Sequence, residues 1–196
     1  MNLPNKLSLM RIFLVPVIAV VYLTAAMSDA LQGSIQIASV QLPYSDVIVL
    51  LLFAVASFTD YLDGHIARRD HLITSFGKFV DPIADKLLVN TLLVLFAWSS
   101  RISIVAALLM ILRDTIVDGL RMNAAASGKV VAAGYAGKLK TVLQMIMIIV
   151  VLLHDLPFVL LGFEISTILV WFATAASLYS GVVYFIQLKD IVMESM

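Results

Sequence analysis

Residues 60–85 read DYLDGHIARRDHLITSFGKFVDPIAD and lie between two long apolar runs of the chain. Four aspartates stand near the ends of those runs: Asp60, Asp63, Asp81 and Asp85. The chain around them has 196 residues, 62% of them hydrophobic and 13% charged, and its mean hydropathy is +1.04. This balance is far from that of a soluble globular domain. The sequence therefore predicts an integral membrane protein that keeps carboxylates at a bilayer boundary.

Six apolar segments of the sequence predict membrane-spanning helices. About 20 helical residues cross the roughly 30 Å of hydrocarbon in a bilayer. Six runs come close to this length: 8–27, 45–60, 78–98, 102–121, 138–154 and 165–187. Because no linker, charge block or internal repeat divides them, we expect one domain over residues 1–196. The predicted fold class is all-α, a polytopic bundle of six transmembrane helices.

The N-terminal residues predict one further element. Leu3, Leu7 and Met10 recur at helical spacing on the side opposite to Asn5. This pattern is typical of a short interfacial helix that lies on the membrane surface. Pro16 follows within the apolar run and is expected to kink the chain where it enters the bilayer.

The basic residues predict the orientation of the bundle. If the N-terminus is cytoplasmic, all of the 13 lysines and arginines except Arg101 fall on or near the cytoplasmic side. Because basic residues are retained on the cytoplasmic side of membranes, we expect both termini inside the cell. The loops between spans two and three and between spans four and five then face the cytoplasm. Any chemistry of these loops is expected at the cytoplasmic face of a cell or inner membrane.

The spacing of the aspartates predicts that they converge. Asp60 and Asp63 are three residues apart, and Asp81 and Asp85 are four apart, so each pair shares one helix face. Antiparallel neighbouring spans joined by a short turn would bring the two faces together. Four adjacent carboxylates repel one another unless they hold cations, and hard oxygen ligands suit Mg²⁺ or Mn²⁺. The pattern therefore favours a two-metal site for phosphoryl chemistry.

Residues between the aspartates add a binding surface. Gly64, Ala67 and Gly77 lack large side chains, which leaves room for a flat or bulky ligand against the backbone. Arg68 supplies a fixed cation of the kind that binds phosphate.

The spacing of eight residues resembles the signature of the CDP-alcohol phosphotransferase family at every position: Asp60, Asp63, Gly64, Ala67, Arg68, Gly77, Asp81 and Asp85. Members of this family displace CMP from a CDP-linked donor, usually CDP-diacylglycerol, by attack of an acceptor alcohol on the phosphorus that carries the lipid. The resemblance thus implies a membrane-bound transferase that acts on CDP-diacylglycerol.

The resemblance also implies roles for these residues. All four aspartates would bind two Mg²⁺ or Mn²⁺ ions, and Asp85 would in addition be the general base that removes the proton of the acceptor hydroxyl. The CDP group would be bound by Asp60, Asp63, Gly64, Ala67, Arg68 and Gly77.

A second cluster of charge predicts the acceptor. The stretch 113–145 carries Arg113, Arg121, Lys138 and Lys140, which are expected to bind a phosphate of the acceptor. This stretch, with NLPNKLSLMRI at residues 2–12 and SGVVYF at residues 180–185, is similar to family members that use glycerol 3-phosphate. The resemblance implies phosphatidylglycerophosphate and CMP as products. One departure is Asp114, where relatives often carry Glu, and little consequence is expected from it.

Other interpretations remain open at this stage. The acceptor could be inositol phosphate, inositol or serine. A membrane prenyltransferase also uses aspartates and Mg²⁺, and a cation transporter could use an acidic site. Ser177, Ser180 and Gly181 predict close helix packing, which suggests a homodimer interface. Membrane lipids are expected as neighbours, no nucleic acid is expected as a partner, and the lack of cysteine excludes thiolate chemistry.

Overall fold

The computed structural model describes residues 2–28, 33–69, 74–126 and 134–194. Six long helices and one β-hairpin make up these ranges. Their bounds are α1 (Leu3–Met27), β1 (Ser34–Ile37), β2 (Val40–Pro43), α2 (Tyr44–Arg69), α3 (Ser75–Trp98), α4 (Ile104–Ala126), α5 (Tyr135–Leu152) and α6 (Ser166–Glu194). A single 3-10 turn, Phe158–Leu161, lies between α5 and α6. The chain is thus almost entirely helical, as the sequence predicts.

The membrane character of the helices is uneven. Among the described residues, four segments are long and apolar enough to cross a membrane: Asn5–Met27, Tyr44–Ile66, Tyr135–Leu152 and Ser166–Lys189. Helices α3 and α4 have similar lengths, but each contains four charged residues. The prediction of an all-α membrane protein therefore stands, whereas the prediction of six spans stays a prediction.

The N-terminal residues do not form a separate interfacial helix. Helix α1 runs without interruption from Leu3 to Met27 and contains Pro16 in its interior. Asn5, Ser8 and Arg11 are buried against the rest of the chain. Because these polar side chains find partners inside the bundle, the first turns are held against it, and their position at the membrane surface stays a prediction.

The β-hairpin between α1 and α2 is an element that the all-α prediction missed. Strands β1 and β2 are antiparallel, with Ile37 opposite Val40, and Ala38 in the turn has a positive φ of 53°. Val40 and Leu42 are buried, while every residue of β1 is exposed. No Asn-Gly or Asp-Gly pair marks this turn, so the usual short-range signal of a hairpin is missing from the sequence.

The core lies between the helices, and the outer faces are apolar as well. Buried side chains such as Ile18, Phe53 and Leu92 join α1, α2 and α3 to Met110 and Met147 on α4 and α5. Large apolar side chains also point outward on each helix, among them Phe13, Phe58, Val94, Leu108, Val142 and Phe172. An outer surface of this kind suits lipid rather than water.

A buried ion-pair network closes the end of the bundle where α2 begins. Asp46 is 1% exposed and accepts a 2.7 Å hydrogen bond from Nη1 of Arg101, while Nε2 of His154 lies 2.6 Å from the same carboxylate. The guanidinium of Arg101 also lies 5.3 Å from the ring centre of Tyr22. One carboxylate therefore ties together α2, the turn after α3 and the turn after α5, with α1 held through Tyr22.

Asp46→Asn should lower the stability of the bundle. The substitution removes the anion that Arg101 and His154 share, and a buried polar group that loses its partner costs about 1–3 kcal/mol. Thermal unfolding in detergent micelles measures the effect. Glu164→Gln is the control, because Glu164 is an exposed acidic residue near the start of α6. Equal unfolding temperatures for Asp46→Asn and the control would show that the network contributes nothing.

Candidate functional site

Three of the four motif aspartates converge on one arginine. Nη1 of Arg11 donates to Oδ1 of Asp60 at 2.5 Å and also contacts Oδ1 of Asp85. Nη2 of Arg11 donates to Oδ2 of Asp63 at 2.5 Å. The carboxylates come from the C-terminal half of α2 and from α3, and the guanidinium comes from α1. We refer to Arg11, Asp60, Asp63 and Asp85 as the carboxylate cluster.

The carboxylate cluster is closed on one side and open on the other. The side chains of Arg11 and Asp63 are 0% and 3% exposed, whereas those of Asp60 and Asp85 are 36% and 49% exposed. A ligand that approaches the cluster therefore meets Asp60 and Asp85 first. Asp63 forms the floor of the site.

Polar residues on α1 hold Asp63 and the start of α3 in position. Oγ of Ser8 donates to Oδ2 of Asp63 at 3.3 Å. One turn earlier, Oγ1 of Thr74 donates to Oδ1 of Asn5 at 3.0 Å, and the same hydroxyl accepts a 3.0 Å hydrogen bond from the backbone nitrogen of Gly77. Thr74 is thus the N-cap of α3. The first turn of α3 is fixed to α1 by this chain of hydrogen bonds.

Arg11, Ser8 and Asn5 are site residues that the sequence reasoning missed. It counted Arg11 only as a cation near the cytoplasmic side. A signal was present, since three polar residues at positions i, i+3 and i+6 interrupt an apolar segment and share one helix face. Buried polar groups need partners, so such a stripe indicates contact with another polar group.

The other motif residues are described only in part. Gly64 is half-buried in α2, and Gly77 is buried in the first turn of α3. Ala67, Arg68 and Asp81 belong to the helices, but their side chains lie outside the described part of the structure. Their roles stay predictions.

A cavity of about 360 Å³ adjoins the carboxylate cluster. It lies among α3, α4, α5 and α6, and its lining includes Asp85, Arg113, Asp114, Arg121, Lys140 and Tyr184. Asp85 therefore belongs both to the cluster and to the wall of this cavity. The cations that the sequence assigns to the acceptor are brought to the same wall, with the exception of Lys138, which is exposed on α5 and is not among the lining residues.

Three of the four lining cations are already paired, and the first of them is Lys86, whose partner is Asp118. Nζ of Lys140 donates to both carboxylate oxygens of Asp114 at 2.6 Å. Nη1 of Arg113 donates to Asp114 at 2.8 Å, and its Nη2 donates to Oγ of Ser180 at 2.5 Å. By contrast, Arg121 makes no ion pair within the described residues. Arg121 is therefore the lining cation best able to accept a new anion.

Asp114, at the position where relatives often carry Glu, has a structural role. It is 3% exposed and holds both Arg113 and Lys140 at the wall of the cavity. The expectation that this position has little consequence did not foresee these contacts. The signal was the i, i+1 juxtaposition of an acid and a base inside an apolar helix, where an unpaired charge is costly.

The small residues of α6 serve packing within the chain. Ser177 and Ser180 are fully buried, and Ser180 accepts a hydrogen bond from Arg113. A Cβ at Gly181 would lie 2.9 Å from Cγ of Arg113, so glycine permits the close approach of α6 to α4. Ser180 and Gly181 thus pack against α4 of their own chain, and the suggestion of a homodimer interface stays a prediction.

Comparison with known proteins decides the family. The sequence profile of the CDP-alcohol phosphatidyltransferase family matches residues 1–179. The chain belongs to this family. A Bacillus subtilis protein named CDP-diacylglycerol–glycerol-3-phosphate 3-phosphatidyltransferase is 39% identical over 184 residues, which cover 94% of this chain and 93% of that protein.

Proteins of the same name from two further bacteria are also similar. The protein of Rickettsia bellii is 33% identical over 185 residues, covering 94% of this chain and 93% of its own. The protein of Rickettsia typhi is 34% identical over 186 residues, covering 94% and 95%. Membership of the phosphatidyltransferase family confirms the resemblance seen in the aspartate motif. It also sets aside the prenyltransferase and transporter interpretations.

The pairing of Asp114 with Lys140 predicts unequal effects of two substitutions. Asp114→Asn leaves both Lys140 and Arg113 without their anion, and breaking a buried pair in this way costs about 3–5 kcal/mol. Lys140→Met should cost less, because Asp114 keeps Arg113. Adding Lys140→Met to Asp114→Asn should restore part of the lost stability, as measured by thermal unfolding in micelles.

The pair of Lys86 and Asp118 is the matched control for this experiment. It joins α3 to α4 beside the same cavity, but both side chains are about a third exposed. Exposed pairs contribute about 0–1 kcal/mol, so Asp118→Asn should be almost neutral. A double variant no more stable than Asp114→Asn alone would argue against a buried pair at Asp114.

Proposed function

We propose that this chain transfers the phosphatidyl group of CDP-diacylglycerol to glycerol 3-phosphate and releases CMP. The observation that carries the proposal is the position of Asp85. It belongs to the carboxylate cluster and also lines the cavity, together with Arg121. A carboxylate in this position can serve a phosphoryl donor on one side and an acceptor alcohol on the other. The names of the similar bacterial proteins point to the same donor and acceptor.

The charge of the cavity supports an anionic acceptor. Asp114 partly compensates the charges of Arg113 and Lys140, whereas no anion among the described residues pairs with Arg121. A guanidinium presents two parallel N–H donors to a phosphate, which gives a strong and oriented contact. Inositol and serine lack a phosphate that would use this cation. Inositol phosphate has one and is the alternative acceptor that an assay must separate.

The proposal includes two Mg²⁺ or Mn²⁺ ions bound by Asp60, Asp63, Asp81 and Asp85. The donor set fits, because carboxylate oxygens are the ligands that these hard cations prefer. Among the described residues, which exclude the side chain of Asp81, no three Asp, Glu or His side chains are placed so that they could hold one metal ion, and Arg11 contacts both Asp60 and Asp85. When bound, such ions neutralise the charge that develops on the leaving CMP.

The chain's own residues provide the remaining steps. Asp85 accepts the proton of the acceptor hydroxyl while Arg121 orients the acceptor phosphate. The hydroxyl oxygen bonds to the phosphorus that carries the lipid, and the bond from that phosphorus to the oxygen of CMP breaks. Gly64, Ala67 and Gly77 accommodate the cytidine, and Arg68 binds its phosphate. One displacement completes the transfer, so no covalent intermediate with the protein is required.

The site belongs at the cytoplasmic face in this proposal. Lys86, Arg113, Arg121 and Lys140 all lie around the cavity, whereas Arg101 is paired with Asp46 at the start of α2. Retention of basic residues inside the cell then places both termini in the cytoplasm.

A direct assay tests the reaction. Purified chain in micelles that contain CDP-diacylglycerol should release CMP when glycerol 3-phosphate is added, and much less CMP with serine, inositol or inositol phosphate. EDTA should abolish release, and Mg²⁺ or Mn²⁺ in excess should restore it while NaCl should not. Equal CMP release with inositol phosphate would replace the acceptor. Full activity in EDTA would refute the metal site.

Two substitutions in the cavity should have different kinetic effects. Asp85→Asn removes the base, so kcat should fall about 10²- to 10⁴-fold. Arg121→Gln removes one charge-assisted contact, which is worth about 1.5–3 kcal/mol, so the KM for glycerol 3-phosphate should rise roughly ten- to a hundredfold or more. The KM for CDP-diacylglycerol should change little in Arg121→Gln.

Lys189→Gln is the control for these kinetics, because Lys189 is an exposed cation near the end of α6 that does not line the cavity. Its kinetic constants should match those of the unsubstituted chain. An Arg121→Gln variant with the same KM for glycerol 3-phosphate as this control would remove Arg121 from the acceptor site.

A further inference from the structure

Arg11 occupies an unusual position for a cation in a site of this kind. Its side chain is 0% exposed, and Nη1 lies between Oδ1 of Asp60 and Oδ1 of Asp85 while Nη2 binds Asp63. A cation that bridges two carboxylates takes this same position between their oxygens. Arg11 therefore uses the lone pairs that would otherwise bind a divalent ion.

The charges of the cluster indicate that Arg11 compensates it only in part. Three carboxylates against one guanidinium leave a formal charge of 1 − 3 = −2 among the described members. This remainder still attracts cations. A buried guanidinium next to a divalent ion, however, is repelled strongly, because charges interact at close range in a medium of low dielectric constant.

The hydrogen bonds of Arg11 allow its guanidinium to be displaced from the aspartates. Nε of Arg11 is buried and has no hydrogen-bond partner within the described residues, so the contacts of the guanidinium are those to the aspartates. Ser8 binds Asp63 independently of Arg11, and Asn5 binds Thr74. Helix α1 therefore keeps contacts to the site when the guanidinium leaves its place.

We propose that Arg11 is an internal counter-ion of the carboxylate cluster that competes with divalent metal ions for Asp60 and Asp85. It stabilises the cluster when no metal is bound, and it weakens metal binding because the ion must displace it. Arg11 is thus a positioning residue that sets metal affinity. This inference rests on the metal-dependent function proposed above.

The test measures Mn²⁺ binding to the full chain in micelles without substrates, by isothermal titration calorimetry. Arg11→Gln should bind Mn²⁺ roughly tenfold more tightly or better, because a buried unit charge no longer opposes the ion. In EDTA the same variant should unfold at a lower temperature than the unsubstituted chain. Mn²⁺ should then raise its unfolding temperature by more than it raises that of the unsubstituted chain.

Lys6→Gln is the matched control, since it removes one positive charge from an exposed position of the same helix. It should change neither Mn²⁺ affinity nor stability in EDTA. A merely structural Arg11 would lose stability on substitution without any gain in metal affinity. Equal or weaker Mn²⁺ binding by Arg11→Gln would therefore overturn the inference.

A second variant provides the test if folded Arg11→Gln protein can be purified only in the presence of metal ions. Arg11→Lys keeps the charge but replaces the planar fork, whose two nitrogens contact the three carboxylates, with one compact ammonium group. Its Mn²⁺ affinity should exceed that of the unsubstituted chain, and an affinity at or below that value would refute the competition. Failure of the unsubstituted chain to bind Mn²⁺ would refute the metal site itself, and this inference with it.

Discussion

The contact of Arg11 with three aspartates is the constraint on which the rest of the site depends. Carboxylates that are withdrawn from water require a counter-charge within a few ångströms. Here that charge comes from α1, so α1 must lie against the end of α2 and the start of α3. The Thr74 cap and the Ser8 hydrogen bond fit the same geometry. Once these three helices are fixed, Asp85, on the open side of the cluster, also lines the cavity formed with α4, α5 and α6.

Two clusters of charged residues in the bundle are both held by ion pairs but serve different purposes. At the start of α2, one carboxylate, Asp46, is shared by Arg101 and His154, so the charge of Asp46 is matched by that of Arg101 and no anion is in excess. At the carboxylate cluster the anions outnumber the single guanidinium. Excess negative charge costs stability, and proteins keep such excess where it serves binding. The balance of charge therefore distinguishes a structural network from a functional one.

The sequence predicted the features that follow from local periodicity. Aspartates three and four residues apart share a helix face, and the predicted run 78–98 differs little from α3 (Ser75–Trp98). The second span was predicted to end at 60, yet α2 continues to Arg69, because the polar motif is itself helical. Long-range partners were not predictable in this way. Arg11 and Asp85 are 74 residues apart, and Asp46 and His154 are 108 apart.

The cavity beside the carboxylate cluster shows why a count of charged residues in the sequence does not identify the cations that can bind a ligand. The sequence presents a row of cations in α4 and α5, and each looks equally able to bind a phosphate. In the folded chain, Asp114 engages Arg113 and Lys140, and Asp118 engages Lys86. Among the described residues that line the cavity, Arg121 is the cation without an ion pair, and Asp85 lines the same cavity. In the proposed function, selectivity for an anionic acceptor would then depend on this one guanidinium, while the other lining charges pair with one another. Because Asp114 already pairs with Arg113 and Lys140, Arg121 would bind the proposed acceptor without first breaking those pairs.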